Sequence, residues 1–414
     1  MDPRAAKILQ RIEELARLSE EPGQLTRTYG SPAMRRANDL VGQWLRTAGL
    51  QPSVDAIGNL IGRSPATHAK RKILLLGSHL DTVRNAGKFD GPLGVLLAIA
   101  CVEECRAHVR ELPFDLAVIG FADEEGVRFQ TTYLGSRVVA GTFDPKDLER
   151  QDAAGVSLRD AIRAFGGDPA KLSAARWPAS SRVGYLEAHI EQGPVLEQNK
   201  LSVGVVTSIS GQSRLRVEFT GRAGHAGTTP MNLRADALCA AAEFILAVEA
   251  PARKKPGLVA TVGWIQAEPG VGNVIPGAAT LTLDVRHQSD AKRLSAVAAL
   301  HTIARKIARL RKIQLRWQPV QQTPSVHCSP PLTRLLAHAV RHREPRSLAL
   351  ASGAGHDAAV MAGLTPTAML FIRCKNGLSH HPAESVKPAD VAVALDVMID
   401  FVRQLASHAE TISP

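Results

Sequence analysis

Residues 77–95 read GSHLDTVRNAGKFDGPLGV. His79, Asp81 and Asp90 stand there between two apolar runs, KILLL (72–76) and LLAIACV (96–102). Carboxylates near a core are costly unless they are paired or bind a cation. A second acidic group, FADEEG (121–126), places Glu124 and Glu125 directly after the apolar LAVIGF. A carboxylate has two oxygens and can bridge two ions, and neighbouring acids can divide labour. One binds metal while the other takes a proton from water. His79 is a nitrogen-ligand candidate, and Asp81, two residues on, could accept its other ring N–H. Downstream, YLEAHIEQG (185–193) offers His189 with Glu187, Glu191 and Gln192, and GLSHHPAE (377–384) offers His380, His381 and Glu384. Any one of these histidines has an ordinary packing role available to it. The joint pattern points to a metal centre.

These residues need a scaffold that brings them together. Helical periodicity covers 4–18 and 33–48, the second ending at Gly49. NLIGR (59–63), KILLL (72–76) and DLAVIGFA (115–122) read as strands, and PLGVLLAIACVEECRA (92–107) as a buried helix opening on Pro92. Alternation of strand and helix predicts an α/β domain with a mostly parallel mixed sheet flanked by helices. In such sheets sites form at the carboxyl ends of strands, where His79 and the DEE turn both stand. From about 213 the pattern changes. RLRVEFTG (214–221) and TLTLDVRH (280–287) alternate apolar and polar residues, with helices expected at 232–249 and 290–312. The expected organisation is a catalytic domain of residues 1–212 and 329–414, interrupted by a smaller α+β domain at 213–328.

Composition narrows the function classes. A chain of 414 residues with 45% hydrophobic residues can build large cores, and two domains are the default for that length. No apolar run is long enough to span a membrane. The N-terminus reads as an amphipathic helix rather than a signal peptide, and five scattered cysteines fit free thiols, so a cytoplasmic location is expected. Cys101 and Cys105 read as core packing. The net charge of +11 raises nucleic acid as a partner, but the basic residues are dispersed and aromatics are only 4% of the chain. The densest basic stretch, 292–313, is an amphipathic helix with a charged outer face. The charge fits an anionic small substrate better.

The motifs GSHLDTV, KFDGPLGV, FADEEGVRF, HIEQGPVLE, GRAGHAGTTPMNLRADAL, VGNVIPG, LDVR, SGAGHDA and GLSHHPAE occur in that order. Together they resemble the di-metal amidohydrolases of the aminoacylase/carboxypeptidase superfamily, in its ureido-hydrolase (hydantoinase/carbamoylase) branch. The resemblance runs from about residue 25 to 405. It implies two divalent ions, Mn²⁺ or Zn²⁺ with Co²⁺ or Ni²⁺ also suited. Asp90 would bridge them, His79 and His189 would complete one site, and Glu125 and His380 the other. Glu124 would be the general base and Asp81 would hold His79. His225 would stabilise the oxyanion, reaching the site from a partner subunit. Asn273 and Arg286 would clamp a substrate carboxylate, Gln192 would contact the ureido group and Gly355 would line the pocket. His381 would not ligate. The resemblance also implies a ferredoxin-like lid that closes over substrate, and a homodimer.

Within that branch the N-terminal stretch and FADEEGVRFQTTYLGS are most similar to allantoate amidohydrolases of bacteria. N-carbamoyl-L-amino acids and β-ureidopropionate are the alternative substrates. Asp123 and Val127 depart from the residues that are commoner at those positions. A peptidase of the same superfamily fits the long HIEQGPVLE and AGTTPMNLRADAL motifs poorly. A catalytically silent binding protein would not be expected to keep every ligand candidate.

Overall fold

The computed structural model describes residues 2–65, 71–106, 111–178 and 182–408. The chain forms two compact units. One holds the sequence up to Thr207 and again from His327, and the other is Ser208–Val326.

The first unit is built on a nine-stranded sheet. Its centre is a parallel set: Asp115–Phe121, Ile73–His79, Arg182–Ile190 and Thr367–Ile372, in that spatial order. Asp115–Phe121 and Thr367–Ile372 are buried along their whole length, and Ile73–His79 and Arg182–Ile190 over all but one residue. That explains why they read as continuous apolar runs without alternation. Leu60–Arg63 and Val203–Ile209 pair antiparallel on the two flanks of this set. The register lines up the strand ends. His79 pairs with Phe121, Gly77 with Glu187, and His189 with Phe371. Three of the sequence motifs therefore leave the sheet at one edge, as the crevice rule for open α/β sheets requires.

The helix Pro92–Cys105 is apolar around its whole circumference and buried on nearly all of it. That composition is what a helix packed within a core needs. It packs with Pro3–Ala16 and Pro388–Ser407 in the same apolar cluster. Residue 107, where the sequence places the helix end, lies outside the described residues. Cys101 and Cys105 are buried in this helix, and all five cysteines are free. Pro3–Ala16 is capped by Asp2 and Pro32–Thr47 by Ser31, each with proline in the first turn.

The second unit follows the order strand, helix, strand, strand, helix, strand. Its strands lie as Gln314–Thr323, Gly211–Thr220, Ala278–His287 and Val259–Glu268, all antiparallel. Alternate residues Leu215, Val217 and Phe219, with Leu281, Leu283 and Val285, form its core with Phe244 and Leu300 of the two helices. The first of these helices, Ala237–Lys254, starts five residues later than the periodicity predicts. Asp236 caps it by accepting from the Cys239 amide, and Met231–Leu233 forms a separate short turn. Among the described residues no helix is long and apolar enough to cross a membrane.

Gly91 opens the helix that follows Asp90, with φ 84° and ψ −65°, a conformation open only to glycine. A Cβ there would also stand 2.4 Å from the His79 ring. Gly91→Ala should therefore cost about 2–4 kcal/mol and displace His79. The expected outcome is a lowered thermal midpoint together with reduced metal binding, read by calorimetry and elemental analysis.

Candidate functional site

At the shared strand edge His79 and His189 face each other, with ring centroids 5.6 Å apart. Each ring is fixed through Nδ1: His79 Nδ1 lies 3.1 Å from the Asp81 carbonyl oxygen, and His189 Nδ1 lies 2.9 Å from that of Ile190. A carbonyl can only accept, so both Nδ1 atoms carry a proton, and in the neutral rings both Nε2 atoms present lone pairs. Those Nε2 atoms are 3.4 Å apart. Asp90 Oδ1 lies 3.1 Å from His189 Nε2 and 3.7 Å from His79 Nε2, is buried, and has no hydrogen bond. With both rings neutral, three acceptors converge. A divalent cation satisfies all three, so the residues fit one.

Asp90 also stands in a second group with Glu125 and His380. His380 Nε2 is 3.2 Å from Asp90 Oδ2 and 3.4 Å from Glu125 Oε1. A third group joins His79 to Glu124 and Glu125. His381 turns away, its Nδ1 accepting from the Ala383 amide.

Asp81 ties the two strand ends together. Its Oδ1 accepts from the Glu124 amide and its Oδ2 from the Glu125 amide, each at 3.1 Å, while Oδ1 lies 3.4 Å from His79 Nδ1. One carboxylate thus sets both the histidine ring and the DEE turn. Arg27, fully buried, donates to the Leu80 carbonyl at 2.7 Å and braces the same loop. Burial lowers the Arg27 pKa to about 10, partly opposed by the charge of Asp81.

Burial sets the character of Glu124. Burial pushes Glu124 well above the usual carboxylate range. Glu125, Asp357 and Asp81 push the same way, and His79 opposes them. A carboxyl held high suits a group that takes and returns a proton. Asp123 is also driven up, chiefly by burial and then by Asp81, and its Oδ1 accepts from the Gly126 amide. It shapes the turn rather than facing the cluster of ligand atoms.

The remaining expected residues fall as follows. Gln192 donates through Nε2 to Asp90 Oδ2 at 2.8 Å and to the Ser379 hydroxyl at 3.3 Å. Gly355 follows the strand Ala349–Ser352 in the first unit. His225, Asn273 and Arg286 belong to the second unit. There His225 pairs with Val274, and the Asn273 carbonyl accepts from the Ala226 amide at 2.9 Å. His225 Nδ1 accepts from the Gly227 and Thr228 amides, so its proton sits on Nε2. Arg286 is held in a fork by Asp284, at 2.9 and 3.0 Å.

The profile described as Peptidase family M20/M25/M40 matches residues 75–404. The chain belongs to this family. It is 40% identical over 402 residues to an N-carbamoyl-L-amino acid amidohydrolase of Geobacillus stearothermophilus, covering 97% of this chain and 98% of that protein. It is 38% identical to a probable allantoate deiminase of Oryza sativa subsp. japonica, covering 96% of this chain and 88% of the relative. Among solved structures, an amidase of the hydantoinase/carbamoylase family from Burkholderia multivorans superposes with a TM-score of 0.90 at 30% identity. The match covers 97% of this chain and 98% of that one.

The structure of this M20/M25/M40 chain adds supporting residues to which the sequence assigns no role. Glu384 Oε1 accepts from the Phe89 and Asp90 amides at 2.7 and 3.1 Å, and Oε2 lies 3.1 Å from the Ser379 hydroxyl. It thereby fixes the turn that carries Asp90. Its pKa is raised to about 7, first by burial and then by the charge of Asp90. Glu187 accepts from Ser78 and from the Ala358 amide, joining its strand to Ile73–His79 and to the helix Asp357–Met361. His356 packs edge-on against His189 at 4.6 Å, and its Nε2 lies 2.7 Å from the Ser352 hydroxyl.

Asp81→Asn tests the tie between the strand ends. The amide keeps one acceptor and turns an N–H toward a backbone donor. A loss of about 1–3 kcal/mol follows, measured as a lowered denaturation midpoint. An unchanged midpoint would show that the carboxylate does not hold the two loops.

Proposed function

We propose that this chain is a metal-dependent amidohydrolase that cleaves the ureido C–N bond of a carboxylate-bearing substrate. The overall change is –NH–CO–NH₂ + H₂O → –NH₂ + CO₂ + NH₃. The observation that carries the reading is Asp90, shared by a His79–His189 group and a Glu125–His380 group beside the buried Glu124. A shared carboxylate is suited to two ions: Asp90 with His79 and His189 would hold one, and Asp90 with Glu125 and His380 the other. The nitrogen and oxygen donors suit Mn²⁺ or Zn²⁺, with Co²⁺ or Ni²⁺ also compatible. Bound there, divalent ions would supply Lewis acidity that polarises a carbonyl and acidifies water.

The chain's own groups perform the proton transfers. Glu124 takes a proton from the attacking water and delivers it to the leaving nitrogen. Asp81 keeps His79 and the Glu124 backbone in place. His225 offers an Nε2–H donor to the oxygen on which charge develops. Arg286, oriented by Asp284, and Asn273 bind the substrate carboxylate. Gln192 meets the ureido group, and Gly355 leaves room for it.

Allantoate, giving ureidoglycine, is the substrate favoured by the TRTYGSPAMRRANDL and FADEEGVRFQTTYLGS stretches. N-carbamoyl-L-amino acids form a second reading, favoured by the 40% identity to the Geobacillus stearothermophilus amidohydrolase across 98% of its length. β-Ureidopropionate shares the same two functional groups. The proposal includes a cytoplasmic homodimer. The second unit's edge strand Val259–Glu268 exposes Val259, Trp264 and Ile265, an apolar edge that self-association would cover.

Ammonia release by Mn²⁺-loaded protein from allantoate, N-carbamoyl-L-amino acids and β-ureidopropionate separates the substrates. Ammonia from allantoate alone supports the first reading, and ammonia from the carbamoyl amino acids alone supports the second. Silence on all three, with metal bound, rejects the ureido reaction. Glu124→Gln should keep its metal content and lose turnover by about 10²–10⁴-fold. Turnover retained in that variant would remove Glu124 from the role of base.

A further inference from the structure

Left-handed backbone at residues with side chains occurs at several turns of the chain, Lys200 and Lys312 among them, and also beside the ligand cluster. Gln192 and His380 both adopt left-handed conformations at φ 56°, unusual for residues with side chains. Such outliers persist only where surrounding structure holds them, and they concentrate at functional positions. Tyr133 shares the same strain, with φ 64° and ψ 31°. It is held there by its own amide, which donates to the Glu124 carbonyl at 3.2 Å, and by the Leu134 amide, which donates to Asp123 at 2.9 Å. Those bonds dock the start of the helix Leu134–Ala140 on the DEE turn.

The strain aims a polar group. The Tyr133 ring is half-buried, and its hydroxyl oxygen lies 1.8 Å from where a Cβ on residue 355 would be. Gly355 is thus the residue type that admits the phenol. The hydroxyl makes no hydrogen bond among the described residues. Burial raises its pKa well above the usual tyrosine value. Glu124, Asp357, Glu125 and Glu187 raise it further, so the phenol stays protonated. A neutral O–H against Gly355, on a residue whose amide is bonded to the Glu124 carbonyl, has both a donor and an acceptor lone pair to offer.

We propose that Tyr133 is a further substrate-contacting residue, whose hydroxyl hydrogen-bonds the ureido group while it reacts beside Glu124. The proposal rests on the ureido reading above and adds a specificity element to it. A urea nitrogen donates and a urea oxygen accepts, so the phenol can pair with either. An acyl group that replaces the terminal NH₂ with CH₃ loses that N–H. Sites that hydrogen-bond a polar group reject the analogue lacking it more strongly than apolar sites reject a change of size.

Tyr133→Phe removes one oxygen and keeps the ring. Kinetics would be measured on the Mn²⁺-loaded full chain, with whichever of allantoate and N-carbamoyl-L-alanine the wild type hydrolyses. Metal content and thermal midpoint would be measured on the same samples. The expected result is a fall in kcat/KM of about tenfold, with metal content and midpoint unchanged. A kcat/KM within about twofold of wild type overturns the contact. A loss that tracks a fall in metal content or midpoint also overturns it, because it assigns Tyr133 to packing alone. Wild-type protein silent on both substrates rejects the ureido reading and the contact together. Activity that is insensitive to the variant rejects the contact alone.

Discussion

Gathering carboxylates at one buried strand edge is the constraint on which the rest of this structure depends. Each oxygen removed from water needs a donor, a proton or a cation. Asp81 meets the requirement with the backbone amides of Glu124 and Glu125. Glu187 meets it with Ser78 and the Ala358 amide, and Glu384 with the amides of Phe89 and Asp90. Asp123 and Asp357 follow a different route. Burial pushes both well above the carboxylate range, with neighbouring acids adding to it, which favours their neutral forms. Asp90 Oδ1 stands between two imidazole Nε2 atoms with no hydrogen bond of its own. At Asp90, where two histidines converge on one carboxylate oxygen, a cation would meet that oxygen's demand.

The same constraint explains the backbone around the site. Loops leaving a parallel sheet must turn sharply to bring side chains back over the strand ends. Gly91 does this with φ 84° and leaves space for the His79 ring. Gln192 and His380 do it at the cost of left-handed strain. That strain is sustained by rigid neighbours. The strand Thr367–Ile372 is buried at every residue, and the helix Pro92–Cys105 at nearly every one. A softer scaffold would relax these turns and spread the ligand atoms apart.

The second unit holds fixed groups of a different kind. His225 has its tautomer chosen for it, because two backbone amides occupy Nδ1 and leave the proton on Nε2. Arg234 then fixes the loop that supplies those amides, donating to the carbonyls of Thr229 at 3.1 Å and Ala226 at 2.6 Å. Asp284 orients Arg286 in the same manner, with Gln212 and Arg214 also bound to it. An acid-lined centre attracts cations and repels carboxylates. In the proposed function His225 and Arg286 are accordingly groups already fixed by contacts within their own unit.

How far the sequence reveals this depends on the range of each interaction. The parallel strands are legible because burial on both faces leaves continuous apolar runs, and the register then carries His79, Phe121 and His189 to one level. The ligand candidates are legible because His and acidic residues directly after such runs have few other uses. Glu384 is visible as an acid but not as the clamp on Asp90, because that contact joins residues 294 apart in the chain. The dual role of Asp81 is half legible. Its reach to His79 is local, whereas its bonds to the Glu124 and Glu125 amides span 43 and 44 residues. The start of the helix at Ala237 is obscured because apolar periodicity continues through residues 231–233, and only the Asp236 cap fixes the boundary. Tyr133 is hidden for another reason. Side chains disfavour left-handed backbone, so nothing in TTYLGS marks that residue as a turn. Its conformation comes from the Glu124 carbonyl, which is itself set by Asp81. What escapes the sequence is the second layer of contacts, in which one site residue is positioned by the backbone of another.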